Sequence, residues 1–257
     1  MKKMTFAFII IAVFFLFASF ASAHQPRIVT DKITVVQNPE VSQAFYGELE
    51  RTKNVFEISS SESFDLYASL LVPDMVGTRK DFSVEIYQQE DFPEDNEMTL
   101  QKKTTTALLN GIDFNWSNLY EPWLGDSYFQ GPEFRSDMTG GISQGVRVEP
   151  GVYLVQVFNP DNEGKYVLVI GTKEEFSLSE SINTIKILPT LKSDFFGKSS
   201  LLAFWSLTGL YLLFVILMVV LIVWIVLIIF GKNKRDDNYL NGSENPVSSG
   251  NLNGEKK

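Results

Sequence analysis

From Leu201 to Phe230 the chain runs thirty residues without one charged side chain, and Lys232, Lys234 and Arg235 follow at once. About 20 apolar residues in a helix are enough to cross the roughly 30 Å hydrocarbon core of a bilayer. The run therefore predicts one transmembrane helix within residues 199–231, with the lipid bilayer as the partner of Leu201–Phe230. The basic cluster behind it predicts a cytoplasmic C-terminal side. Ser206, Thr208 and Gly209 are polar or small, but the run has no ionisable group and no Gly-x-x-x-Gly pair. A pore or proton relay needs such groups facing a bundle interior, so the segment is read as an anchor.

The other end of the chain carries a second kind of apolar segment. Lys2 and Lys3 precede the apolar stretch Phe6–Phe20, which closes on Ala21-Ser22-Ala23. That is the pattern of a signal peptide, residues 1–23, with the mature chain starting at His24. Export of the N-terminal part and retention of the basic flank predict the same single-pass orientation in the cell membrane. The tail, residues 232–257, is rich in Asn, Ser and Gly and is expected to be disordered in the cytoplasm.

Residues 24–198 hold 27 acidic against 15 basic side chains, a net charge of −12. Nucleic acid is thereby excluded as a partner. The chain has no cysteine. Thiol catalysis, cysteine–zinc sites, iron–sulfur clusters and disulfides are all excluded, and the exported part must rest on its apolar core. That absence favours a prokaryotic envelope protein.

Patterning in this part is mostly of period two. Phe64, Leu66, Ala68 and Leu70 share one strand face, as do Phe82, Val84 and Ile86. Val152–Phe158 and Lys165–Ile170 are β-branched and aromatic runs, joined by the turn formers Asn159–Gly164, and are expected to form a hairpin. Further strands are expected at Ile33–Val36, Gln43–Leu49, Val55–Ile58, Ile112–Trp116, Glu133–Asp137 and Gly145–Val148. Many short strands between turns predict a mainly β fold, an antiparallel β-sandwich over residues 24–172. After Gly171 the period changes. Ser177 and Glu180 fit a capping box, and Ile182, Ile185 and Leu188 follow at helical spacing. Residues 173–198 are thus expected to form a short helical stalk, kinked or ended at Pro189, with Phe195 and Phe196 at the bilayer surface.

The segment Glu149-Pro150-Gly151-Val152-Tyr153-Leu154-Val155-Gln156-Val157, continued by Gly164-Lys165-Tyr166-Val167-Leu168-Val169-Ile170-Gly171, resembles the last hairpin of the bacterial pre-peptidase C-terminal β-sandwich family. Gly131-Pro132-Glu133-Phe134 precedes it, as a comparable strand does there. The resemblance covers about 40 residues of the chain. It implies a sandwich attached to something else and carries no catalytic residues. Unlike that family, this sandwich is joined to a membrane anchor. The whole chain also resembles membrane-anchored bacterial proteins, which implies no particular activity.

Chemistry-bearing residues are sparse. His24 is the only histidine, and an N-terminal copper brace needs two. Glu90–Glu97 packs five carboxylates into eight residues but lacks the spacing and glycine of a calcium loop. Leu188-Pro189-Thr190-Leu191-Lys192 imitates a sortase signal but lacks its Thr-Gly ending. Trp116–Phe134 is the densest aromatic stretch, and Tyr120, Trp123, Asp126 and Tyr128 are the candidate ligand surface for a sugar or peptide. Glu121, Asp126 and Glu133 could supply a glycosidase pair only if two of them faced each other across a cleft.

These features predict a membrane-anchored extracytoplasmic binding, sensing or accessory module, with no catalytic activity of its own and no cofactor. Two alternatives stay open: a structural subunit of a multi-span membrane complex, with a membrane or envelope protein as partner, and a glycan-binding or carbohydrate-active ectodomain.

Overall fold

The computed structural model describes residues 24–89, 103–139, 142–175 and 177–241. The expected signal peptide, the acidic loop Glu90–Glu97 and residues 242–257 lie outside the described residues.

Two sheets form the body of the molecule. One has strand order β1-β3-β15-β6-β10-β9 and contains β1 (Gln25–Ile28), β3 (Gln43–Glu50), β15 (Glu163–Ile170), β6 (Ala68–Pro73), β10 (Asp126–Phe134) and β9 (Ser117–Glu121). The other has the order β2-β4-β14-β7-β8 and contains β2 (Ile33–Val35), β4 (Asn54–Ser60), β14 (Gly151–Phe158), β7 (Ser83–Gln89) and β8 (Lys103–Leu109). Two short ribbons complete the β structure: β5 (Phe64–Leu66) with β13 (Val146–Val148), and β11 (Ser136–Thr139) with β12 (Ile142–Gln144). Pairing is antiparallel except where the edge strands β1 and β2 join β3 and β4.

The period-two stripes meet between the sheets. Phe45, Leu70, Val72, Tyr166, Leu168 and Ile170 of the first sheet pack on Phe56, Ile58, Val84, Ile86, Val155 and Val157 of the second. Phe64, Leu66, Ala68 and Leu70 all point into this core, as their spacing predicts. They do so on two strands, because the chain breaks at Tyr67 and passes from the β13 ribbon to the six-stranded sheet.

Two expectations change here. Val152–Phe158 and Lys165–Ile170 are strands with a turn between them, but they do not pair with each other. β14 pairs with β4 and β7, and β15 with β3 and β6. The turn therefore arches from one sheet to the other. Its closure is by side chain: Asn159 Oδ1 accepts from Glu163 N (3.1 Å), and Asn159 Nδ2 donates to Glu163 O (2.9 Å). A hairpin and an arch share the same residue pattern, since each strand buries one face either way. Ile112–Trp116 is not a strand. Asn110 Oδ1 accepts from Ile112 N (3.0 Å) and turns the chain. Trp116 Nε1 donates to Gly111 O (2.8 Å), and the ring lies where a Cβ on Gly131 would stand. Pro132 sits at a register shift in β10, where a missing N–H costs no ladder bond.

A third layer covers the outer face of the six-stranded sheet. Ser177 caps helix α1 (Leu178–Thr190), accepting from Glu180 N as the capping-box spacing predicts. Glu180 itself pairs with Arg27 of β1 at 2.9 Å. Pro189 cannot donate within the helix, and the ladder widens into the π-helical turn Leu191–Phe195, where Phe196 N reaches Leu191 O. Gly197, at φ 61°, ends the turn. A 3-10 helix follows at Ser200–Trp205. Leu188, Leu191, Phe195, Phe196 and Ala203 are buried with Ala44, Tyr46, Leu71, Tyr128, Val167 and Val169 of the sheet. Phe195 and Phe196 are thus core residues and not surface ones, and residues 178–203 are a packed layer instead of a stalk.

The long helix α2 spans Leu207–Asn241. It begins later than the uncharged run and continues ten residues past Gly231. Within it Leu207–Ile228 is long and apolar enough to cross a membrane, and its most apolar stretch has a mean hydropathy of 3.4 and no buried side chain. Chain contacts divide the molecule after Gly209.

Candidate functional site

Charge and hydrogen bonding concentrate at the turn between β9 and β10. Asp126 opens β10 directly opposite Glu121, which closes β9, and Pro122–Gly125 turns between them with Gly125 at φ 71°. Asp126 and Tyr128 alternate onto the face beneath the helical layer. The π-helical turn carries Lys192 to the same place, because Lys192 lies on the helix stripe of Leu188, Leu191 and Phe195.

Lys192 Nζ lies 2.6 Å from Asp126 Oδ2 and donates to Leu124 O at 2.6 Å. The two side chains are only 2% and 1% exposed. Lys198 Nζ, more open, lies 2.9 Å from Asp126 Oδ1. Both oxygens of the buried carboxylate thus face an ammonium group. A buried charge persists only with such pairing and added hydrogen bonds.

Glu121 holds the turn from the other side. Its carboxylate accepts from Trp123 N (3.0 Å) and Leu124 N (2.6 Å). Burial pushes its carboxyl above the ordinary value, and those two N–H donors only partly offset this. Next to it the Tyr46 and Tyr128 hydroxyls are bonded at 3.1 Å, and burial raises both phenols.

The turn also receives the first N–H groups of α2, which have no partner inside the helix. Leu207 N donates to Pro122 O (3.2 Å), and Thr208 N donates to Trp123 O (3.3 Å). Thr208 Oγ1 donates to the same carbonyl at 2.8 Å. Gly209 N finds Ser206 Oγ at 3.1 Å. A β-turn of the sandwich therefore serves as the cap of the apolar helix. Chemically this arrangement is a clamp: its carboxylates are engaged by ammonium groups and backbone N–H.

The four residues expected to form a ligand surface are not brought together. Asp126 and Tyr128 are buried under the helical layer at 2% and 3% exposure. Tyr120 pairs with Ser127, so it points to the opposite face of the sheet and is exposed. Trp123 is half-buried in the turn. Glu133, the third carboxylate of the candidate pair, lies 3.0 Å from Arg135 and accepts from Tyr67 Oη at 3.2 Å. His24 is bonded to Ser42 Oγ. Among the described residues no group of three His, Cys, Asp or Glu side chains could hold a metal ion.

A cleft of about 460 Å³ opens at the other end of the six-stranded sheet, along β1, and is lined by Gln25, Arg27, Thr34, Gln43, Glu175 and Glu180 among others. Several of its polar groups are bonded to one another. Arg27 bridges Glu180 and Gln25, Gln25 Nε2 donates to Glu175 O (2.5 Å), and Gln43 Nε2 donates to Gln37 O (2.9 Å).

Lys192, Lys198 and Glu121 are absent from the ligand surface expected from sequence, yet they build the clamp. The usable signal was Lys192 within the stripe Leu188, Leu191, Phe195: a lysine on the apolar face of a helix calls for a buried acid.

No family model matches the chain, and no curated protein matches it. Among solved structures it is similar to the pre-peptidase C-terminal domain of collagenase from Bacillus anthracis. The identity is 10% and the TM-score 0.25, over 60% of this chain and 99% of that one. That is the family which residues 149–171 resemble. It is also similar to CorA, a surface-associated copper-binding protein of Methylomicrobium album BG8, at 12% identity and TM-score 0.18, over 56% of this chain and 83% of that one.

Proposed function

We propose that this chain is a membrane-anchored extracytoplasmic accessory module: a β-sandwich held at the membrane by Leu207–Ile228, with no catalytic activity of its own. The observation that carries this reading is the joining of an all-apolar helix to the sandwich through the Pro122–Gly125 turn. A helix that is apolar all round and bears no ionisable group suits lipid on every side. Its first N–H groups, at Leu207 and Thr208, end on carbonyls of the sandwich itself.

The side chains available support the reading of a module without catalysis of its own. The chain has a single histidine, and the candidate carboxylates Asp126, Glu121 and Glu133 are each engaged by partners within the fold. A net charge of −12 over residues 24–198 keeps the sandwich off anionic lipid and nucleic acid and favours an envelope or membrane protein as its partner.

Topology tests the reading directly. A reporter enzyme fused after Lys257 is expected to report cytoplasm. The cysteine-free chain also accepts one cysteine at the exposed Glu149, which a membrane-impermeant maleimide should label in intact cells. An outward reporter, or labelling only after the membrane is opened, overturns the proposal.

A further inference from the structure

Six residues stand between the sandwich and the apolar helix, and their side chains are sorted in an unusual way. In the 3-10 helix Ser200–Trp205, residues three apart eclipse one another, which makes three columns. Ala203 faces the sandwich at 4% exposure, as does Ser206 just past the helix at 2%, while Ser200 at the start of the Ala203 column is exposed. Leu201 and Phe204 form the second column, exposed to 67% and 57%. Leu202 and Trp205 form the third, exposed to 43% and 77%. Four large apolar side chains thus point into solvent from a segment whose inner side is fixed.

That fixing is firm. Ser206 Oγ donates to Ala203 O at 2.7 Å and accepts from Gly209 N. Ser206 also lies against Gly125, where a Cβ would stand 3.4 Å from its Cα. Just upstream, Lys192 and Lys198 hold the buried Asp126. The apolar columns cannot turn inward without undoing the clamp.

The length of the following helix says where these residues stand. The 22 residues Leu207–Ile228 rise about 33 Å, which by itself fills the roughly 30 Å of hydrocarbon. The 3-10 helix comes directly before that segment, so its place is the headgroup boundary. Tryptophan suits this zone, with an apolar ring body and one N–H for the wet side.

We propose that Ser200–Trp205 is an interfacial foot, whose partner is the headgroup–acyl boundary of the outer leaflet. Leu201, Leu202, Phe204 and Trp205 seat in the lipid. The inference rests on Leu207–Ile228 being a membrane span, and its test keeps the two readings apart.

The natural chain has no cysteine, so single cysteines can be placed in the full protein at Leu202→Cys, Trp205→Cys, Val219→Cys and Glu62→Cys. Each variant is spin-labelled and reconstituted in phosphatidylcholine nanodiscs. Collision with lipid-soluble oxygen is then compared with collision with a water-soluble nickel chelate. Position 62 is expected to meet nickel, and position 219 to meet oxygen alone. Positions 202 and 205 should be several-fold less accessible to nickel than position 62 and less shielded than position 219. Nickel access at 202 and 205 equal to that at 62, with 219 still shielded, overturns the foot and leaves the span intact. Nickel access at 219 overturns the span and the foot with it. Should a label disturb the foot, quenching of unlabelled Trp205 by lipids brominated near the headgroup decides the case in a variant with the other three tryptophans replaced by Phe. Absence of quenching there also rejects the foot.

Discussion

Lys192 and Asp126 meet at 2.6 Å with both side chains almost wholly buried, and they bind a helical turn to the first residue of a strand 66 positions earlier. Breaking such a pair from one side leaves a charge in the interior. Asp126→Asn is expected to destabilise the protein by about 3–5 kcal/mol, since Lys192 loses its counter-charge. The double variant with Lys192→Met should recover most of that loss, because Lys198 can turn to solvent. Denaturant unfolding of the full chain in detergent measures both. A double variant no better than Asp126→Asn would falsify the assignment of the cost to the stranded lysine.

The Tyr46 and Tyr128 hydroxyls bond each other at 3.1 Å in the same layer, and their rings pack edge-on against Phe195 and Phe196. Either single change to Phe strands one hydroxyl and should cost about 1 kcal/mol. The double change removes both and should cost less than the sum of the two. A double-mutant cycle reads this coupling, and simple additivity contradicts it.

Glu121 gives the turn a dependence on pH. Burial raises its folded-state pKa above the ordinary 4.5, so the folded chain binds the proton more readily than the unfolded chain. Its contribution to stability is therefore full below that value and falls as pH rises through the window above it. Glu121→Gln removes the charge but keeps one acceptor oxygen for two N–H groups, a loss that does not vary with pH. In thermal melts the natural protein should gain stability relative to the variant from pH 7 toward pH 4. A natural protein that loses ground to the variant on acidification would reverse the sign and reject this account.

Gly125 adopts φ 71° where the turn touches Ser206. Gly125→Ala should cost about 1–2 kcal/mol through the left-handed backbone alone. Because the turn caps α2, hydrogen exchange at the amides of Leu207 and Thr208 should quicken in the variant. Unchanged exchange at those two amides would separate the turn from the helix start.

Sequence patterning made the sandwich legible because its core obeys local rules. Phe64, Leu66, Ala68 and Leu70 point inward as their alternation requires, and Ser177 caps its helix as the spacing with Glu180 requires. What alternation cannot show is which strand lies beside which. The turn at Asn159–Asn162 was readable, but whether it closed a hairpin or crossed between sheets depended on partners a hundred residues away in β3 and β4. The helical layer was hidden for a similar reason. Leu188, Leu191 and Phe195 form a modest stripe that suits a stalk as well as a packed helix, and only the apolar outer face of the sheet decides between them. The ligand surface failed on strand parity: Tyr120 and Tyr128 stand on opposite faces of one ribbon, a fact fixed by the turn's register and not by their closeness in sequence.

The layer that covers Tyr46, Leu71 and Tyr128 is also the last part of the domain to be made. Every strand it shields comes earlier in the chain, so a polypeptide exported N-terminus first, as proposed above, would expose a finished sheet with one greasy side still bare. On the proposed export, that side would stay wet until Leu188–Ala203 emerges, with the apolar helix following directly behind. Under that proposal, folding of the last layer and passage of the helix into lipid would fall at the same moment. A chain stalled just short of Lys192 should linger as a sticky, chaperone-dependent species, whereas one stalled beyond Gly209 should not.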